Sequence, residues 1–403
     1  MRSRTDYIVT KDEVYAEAES WLGKALRLNC SGYKCTTSCL LQILLLAAAR
    51  MVSIWAACRS LADAPSGQAV FDALRTSLPQ AKELERRLGG ALRGHLPKAL
   101  FRKAREIAID LTLLPYYGEP QHDVSEIYRS QRKAGTSRFH AYATACIVHK
   151  GHRYTLALTR VLAGESMKVV VERLLAEVRR SHVKIKVLLL DRGFFSVAVI
   201  RYLRRAKVGF VIPVALRGRK PKAKRRAKAN KPRVLRDFLK NRNGYYTHVL
   251  SDKDGAGSVK VTICVAGNPR PRRKTRRKRA KKLLYAVSHV RLTPNKIRQT
   301  YRRRFGIETS YRQMNEARIR TCVRDVNLRL LFVAIALLLR NVWAWLHFRL
   351  AKHKYAPEPT LFLELLRFRN LLLWIAQTVD KALAADDIQG IDSETYQRLT
   401  ASR

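Results

Sequence analysis

Val187 to Leu190 is an unbroken apolar run that stops at Asp191. A run this short reads as a strand buried on both faces, and such strands belong to sheets covered by helices on either side. The neighbouring pattern fits that demand. AREIAIDLTLLPYYGEP gives a short strand that ends near Asp110 and runs into a Pro/Gly loop. SRFHAYATACIVHKGHRYTLALTRVL gives two more strands, joined at the His149-Lys150-Gly151-His152 turn. A helix over Ser166 to Arg180 follows, with Val170, Val171, Leu174, Leu175 and Val178 on one face. The Val187 strand, a helix over Ser196 to Ala206 and the strand VGFVIPV complete the order βββαβαβ.

That order is the one of a ribonuclease H-like core, in which the first and fourth strands are neighbours. The expected fold class is α/β: a mixed five-stranded sheet with helices, in two parts over residues 101–213 and 286–350. Residues 1–100 read as an N-terminal helical, DNA-binding domain, helical from Lys11 to about Ala99 with breaks at Ala64-Pro65-Ser66-Gly67 and at Gly89-Gly90. Residues 214–285 read as a basic, β-rich insertion holding the strand-like pieces YYTHVL and VKVTICVAG. Apolar helices over Asn327–Leu350 and Leu361–Val379 follow, the second inside a C-terminal helical region at 351–403. Cys39–Ala49 and Leu330–Leu339 are too short to span a bilayer and are closed by Arg50 and Arg340, so no membrane partner is expected. The opening MRSRTDYIVTKDEVYAEAESW lacks the apolar core of a signal peptide, which predicts a cytoplasmic protein.

Charge names the partner. Eighty Lys and Arg stand against 31 Asp and Glu, for a formal net charge of +49. A polyanion with closely spaced phosphates matches this excess, because every neutralised phosphate releases condensed counterions. Two runs concentrate the charge: Arg217 to Lys228 holds eight basic residues in twelve, and Arg270 to Lys282 ten in thirteen. Lys220, Arg225, Arg273 and Arg277 represent them as candidate DNA contacts. The seven cysteines, an odd number, fit reduced thiols better than a disulfide framework. Cys30, Cys35 and Cys39 lack the paired spacing of a zinc site, and Cys146, His149 and His152 lie across a strand and its turn, where three-residue steps do not converge ligands.

Three acids have addresses suited to phosphoryl transfer. The reaction needs an activated hydroxyl or water and relief of charge on the phosphate oxygens, which two divalent cations about 3.5–4 Å apart supply together. Magnesium and manganese prefer carboxylate oxygens. Asp110 lies inside the first strand, where an acid is costly unless it coordinates something. Asp191 directly ends the fourth, so the two share one end of neighbouring strands; alone, Asp191 also reads as a turn aspartate before Arg192-Gly193. Thr293-Pro294 starts a helix expected to run unbroken through Glu308 to about Glu316. At about 100° per residue Tyr301, Arg304, Glu308, Arg312 and Asn315 form one stripe of it.

These blocks resemble the DDE transposases of bacterial and archaeal insertion sequences, in particular those with a Tyr-x2-Arg-x3-Glu-x6-Lys motif around the third acid. In YRRRFGIETSYRQMN, Tyr301, Arg304 and Glu308 match, while Asn315 stands where that group usually has Lys. IDLTLLPYYG and LLLDRGFFS are similar to the first and second acidic blocks, and the likeness covers roughly residues 100 to 345. It implies catalytic and metal-binding roles for Asp110, Asp191 and Glu308 with Mg²⁺ or Mn²⁺, two ions. It also implies phosphate contacts by Tyr301 and Arg304 and a homodimer acting on double-stranded DNA at terminal inverted repeats and target, inside a prokaryotic cell. Asn315 departs from the motif's last phosphate contact, Arg312 or Arg318 is its candidate substitute, and Asn315 and Arg192 are further candidate DNA contacts. A related nuclease that cuts without strand transfer, and a non-catalytic DNA-binding protein, are the alternatives.

Overall fold

The computed structural model describes residues 9–148, 153–216, 235–252, 257–267, 282–350, 366–384 and 397. Two compact units divide the chain. One takes the described parts of Met1–Ala91, Met314–Trp343 and Leu363–Arg403, the other those of Leu92–Gln313 and Ala344–Phe362.

The first unit is helical. It holds α1 (Lys11–Leu26), α2 (Thr37–Arg50), α3 (Ile54–Arg59), α4 (Gly67–Ser77) and most of α5 (Ala81–Arg93). Short polar side chains set the starts: Thr10, Thr36, Ser53 and Ser66 each accept a hydrogen bond from the backbone of the first turn, and Thr10 with Glu13 completes a reciprocal pair. The Ser66 cap puts a break where Ala64-Pro65-Ser66-Gly67 predicted one. Gly89-Gly90 does not break α5, because Leu84, Leu88 and Leu92 form a buried stripe along it that offsets about 1 kcal/mol per glycine.

α2 is apolar nearly all round and is buried from Cys39 to Ala49. Its last residue, Arg50, pairs with Asp380 of α12 (Phe368–Ala382) at 2.7 Å. α11 (Val326–Leu350) runs well beyond its Leu330–Leu339 centre; the stretch Val326–His347 is long and apolar enough to cross a membrane. Of its apolar window 94% is buried within the protein, as in the core helix of a folded unit.

The second unit is built on one nine-stranded mixed sheet. After α6 (Ala99–Arg102) come β1 (Arg105–Pro115), β2 (Tyr128–Lys133), β3 (Thr136–Ile147), β4 (Thr155–Val161), α7 (Met167–Arg180), β5 (Ile185–Leu190), α8 (Val197–Arg205) and β6 (Phe210–Pro213). Then follow β7 (Gly244–Ser251), β8 (Ser258–Ala266), β9 (Leu283–Ser288), α9 (Pro294–Arg302) and α10 (Gly306–Glu316). The spatial order is β2-β3-β1-β5-β6-β9-β8-β7, with β4 pairing β3. β1 and β5 are parallel neighbours and β1 and β3 antiparallel, as the order of elements required.

Three features differ from the sequence reading. β1 does not end near Asp110 but continues to Pro115, because Leu111 to Pro115 go on pairing with Ala143 to Phe139 of β3. β2 is an additional strand, tied to β3 by an Ala134-Gly135 turn whose residues both have positive φ, 50° and 80°, as a two-residue hairpin needs. The strands of the basic segment form no separate layer. β9 pairs with both β6 and β8 and so joins β7, β8 and β9 to the core sheet, which with β2 grows from the five expected strands to nine. The His149–His152 turn and most of both basic runs lie outside the described residues.

Candidate active site

β1 and β5 run parallel with Ile109 opposite Leu190, so the next residue on each is an aspartate, and the two lie side by side where β5 ends and partway along β1. Asp191 also begins a tight turn: its Oδ2 accepts from Gly193 N at 3.3 Å. The turn role and the site role that the sequence left as alternatives are therefore held by different oxygens of one carboxylate, since Oδ1 accepts from Arg304.

Arg304 is the centre of the cluster. Its Nη1 donates to Asp110 Oδ2 at 2.8 Å and its Nη2 to Asp191 Oδ1 at 3.1 Å, with Glu308 Oε1 3.9 Å away. Nε donates to the Tyr301 hydroxyl at 2.9 Å. Depth is graded: the side chains of Arg304 and Asp110 are 7% and 15% exposed, those of Asp191 and Glu308 44% and 46%. Two carboxylates thus lie at the rim and one at the base.

The electrostatics follow from that depth. Burial pushes the Asp110 carboxyl above the usual carboxylate range; the Arg304 guanidinium pulls it back in part, and the neighbouring Asp191 charge pushes the same way as burial. Burial also opposes the charge of Arg304, but Asp110, then Tyr301 and Asp191, more than offset it, so the guanidinium holds its proton more firmly than usual. Burial likewise raises Tyr301. Its hydroxyl is engaged by Arg304, and its ring belongs to the apolar cluster with Ile297, Ile307 and Tyr285.

The expected single helix through Glu308 is interrupted. α9 ends at Arg302, Arg303–Phe305 form one 3-10 turn, and α10 starts at Gly306. Consecutive arginines explain the tightening: Arg303 pairs with Glu106 through Nε and Nη2, both at 2.7 Å, while Arg304 reaches Asp110, four residues further along β1. Of the predicted stripe, Tyr301, Arg304 and Glu308 come together at the acids. Arg312 and Asn315 are exposed further along α10 and make no hydrogen bond or ion pair with the acids among the described residues. Arg192 lines an open cavity of about 1050 Å³ beside the cluster, together with Lys240, Lys282, Tyr285, Tyr301 and Phe305. Lys220, Arg225, Arg273 and Arg277 lie outside the described residues.

Two contributors were not foreseen. Tyr311 donates its hydroxyl to the Asp110 carbonyl at 3.0 Å and accepts from Thr144 at 2.7 Å, since its one proton is already committed. Thr144 pairs with Asp110 across β1 and β3 and is wholly buried in an otherwise apolar stretch. A hydroxyl inside that stretch was the available signal.

No three His, Cys, Asp or Glu side chains are preassembled to hold a metal ion among the described residues. Between Asp110, Asp191 and Glu308 a guanidinium occupies the middle. The donor set still fits a hard divalent cation: three carboxylates, two of them half open to solvent, around a point that already demands positive charge. The cysteines are free thiols; burial pushes Cys39 up to about 11 and Cys58 up to about 12.

The fold is similar to that of the piggyBac transposase in its synaptic complex with hairpin DNA, solved by cryo-EM. The TM-score is 0.51 at 15% sequence identity, over 97% of this chain and 82% of that one. No curated protein matches the chain by sequence. The transposase DDE domain matches residues 102–342, more than half of the chain and all three acids. The chain belongs to the transposase DDE domain family.

Proposed function

We propose that this protein is a DNA transposase that cuts and rejoins phosphodiester bonds with Asp110, Asp191 and Glu308 as its catalytic, metal-binding acids. The observation that carries the reading is the register of β1 and β5, which sets two carboxylates side by side where β5 ends, with Arg304 between them and Glu308 at the rim. Members of the family generally use divalent metal ions, and Mg²⁺ or Mn²⁺ is the proposed cofactor here. Bound by the three carboxylates, two such ions supply an activated water or 3′ hydroxyl and offset the charge that grows on the phosphate oxygens.

The residues of the chain prepare the rest. Tyr311, anchored by Thr144, fixes the backbone carbonyl of Asp110 and so keeps that carboxylate in register with Asp191. Tyr301 holds Arg304 by Nε, which leaves both Nη atoms facing acids at a depth where hydrogen bonds to charge are strong. A planar fork of that kind also matches two phosphate oxygens, so Arg304 serves the acids before DNA arrives and the phosphate once it is bound. Arg192, Lys240 and Lys282 line the adjoining cavity on the side where a phosphate backbone would approach.

The proposed partners are double-stranded DNA carrying terminal inverted repeats, a target DNA and a second copy of the chain, in the cytoplasm of a prokaryotic cell. The likeness to a transposase bound to hairpin DNA and the net charge of +49 support a DNA partner. The test incubates the purified chain with the DNA flanking its own gene and Mg²⁺, beside Asp191→Ala. Cutting and joining by wild type, both lost in the variant while DNA binding is kept, is the expected result. Cutting without joining would make the protein a nuclease, and binding without strand breaks in either protein would make it a non-catalytic binder.

A further inference from the structure

A second basic cavity, of about 480 Å³, opens at the other end of β1 and β5. Lys186, His289, Arg291, Lys296 and Arg303 line it, with Glu106 as its one acid. Glu106 is 8% exposed and ion-paired with the Arg303 fork, 2.7 Å from each oxygen, with a hydrogen bond to Oε1. Lys186, Arg291 and Lys296 are exposed and have no carboxylate partner among the described residues. Three uncompensated cations around one cavity repel each other, and an anion with several oxygens relieves that cost.

Position supplies the second half of the argument. Lys186 is five residues before Asp191 on the same chain segment, so at about 3.3 Å per residue the cavity and the acids are roughly 16 Å apart. Phosphates of one DNA strand rise by about 3.4 Å per nucleotide along the axis and also wind around it, so a gap of this size is only a few nucleotides along the strand. The outer face of α9 joins the two places. Lys296, Gln299 and Arg303 stand at i, i+3 and i+7, all exposed, and Arg304 follows directly at the acids.

We infer that this cavity is a second grip on the DNA backbone, in which Lys186, Arg291 and Lys296 hold phosphates a few nucleotides from the one at the acid cluster. The inference rests on the DNA reading above and not on strand cutting. Its energy is electrostatic and independent of sequence, so it anchors and orients the duplex without choosing its site.

The test is binding of a fluorescent 30-base-pair duplex by the full chain at several salt concentrations, comparing wild type with Lys186→Gln/Arg291→Gln/Lys296→Gln. All three side chains are exposed, so the fold tolerates their neutralisation. The slope of log affinity against log salt is expected to become shallower by about 0.9 per lost phosphate contact, a total of about 2 to 3. Single methylphosphonates are then walked along the strand. A neutral phosphate at one or more positions should weaken the wild type and leave the triple variant unmoved. An unchanged slope in the variant, or equal sensitivity of both proteins at every position, overturns the inference. Asp191→Asn separates the two readings: it abolishes cutting if the acids are catalytic and keeps the wild-type salt slope.

Discussion

Arg304 and Asp110 form the most enclosed ion pair of the acid cluster, Nη1 to Oδ2 at 2.8 Å with 7% and 15% of their side chains exposed. The arginine carries the positive charge that a divalent ion would otherwise bring to the same carboxylates. Arg304→Gln in metal-free protein leaves three acids with no cation among them, and breaking one partner of a buried pair costs about 3 kcal/mol. Adding Mg²⁺ or Mn²⁺ should then raise the melting temperature of the variant more than that of wild type. Calorimetry with and without metal checks this; an equal rise in both proteins would show that the ion and the guanidinium do not compete.

Asp110→Asn separates stability from activity. Burial already disfavours the ionised carboxyl there, and Arg304 restores only part of the loss. Replacing it with a neutral isostere lifts that burial cost but takes from the buried Arg304 its main counter-charge and leaves it Asp191, so the loss of metal-free stability is expected to be smaller than that of Arg304→Gln while strand cutting disappears. A loss as large as that of Arg304→Gln would mean that the ion pair outweighs the burial.

Tyr311→Phe removes the donor to the Asp110 carbonyl and the acceptor for Thr144. Each lost hydrogen bond in so buried a place is worth about 1–2 kcal/mol. Thr144→Val in the same background should add little, because the two hydroxyls act as one chain. A double-mutant cycle by urea unfolding measures the coupling, and full additivity would contradict it.

Two glycines should respond with opposite signs. A Cβ on Gly209 would lie 2.9 Å from the His289 carbonyl oxygen, a backbone atom, whereas one on Gly90 meets nothing within 4 Å. Gly209→Ala is expected to cost about 1–3 kcal/mol through the forced shift. Gly90→Ala, inside α5, should stabilise by up to about 1 kcal/mol. Equilibrium denaturation of both variants decides the matter.

What could be read in advance was what local pattern controls. Val187–Leu190 announced a buried strand and Asp191 its end. Ser166 and Ser196 marked helix starts, both confirmed as caps. β2 escaped because YRSQRK is polar and almost wholly exposed, so no apolar alternation reveals it. The place of β9 between β6 and β8 is a long-range pairing that no local signal encodes. At the site, helical phase put Arg304 near Glu308, but phase carries no information on which acid an arginine answers. That Arg304 turns to two strands and Arg303 to Glu106 depends on three-dimensional distance alone.

The sheet order also sets a timetable for synthesis. β7 and β8 leave the ribosome as a hairpin that cannot join the core, because β9, which must lie between them and β6, is made afterwards. Both aspartates are therefore translated, and their strands able to pair, while the sheet is unfinished and Glu308 does not yet exist. A nascent chain holds at most two of its three acids until β9 has closed the gap, so the complete cluster arises only in a chain whose sheet can already be whole.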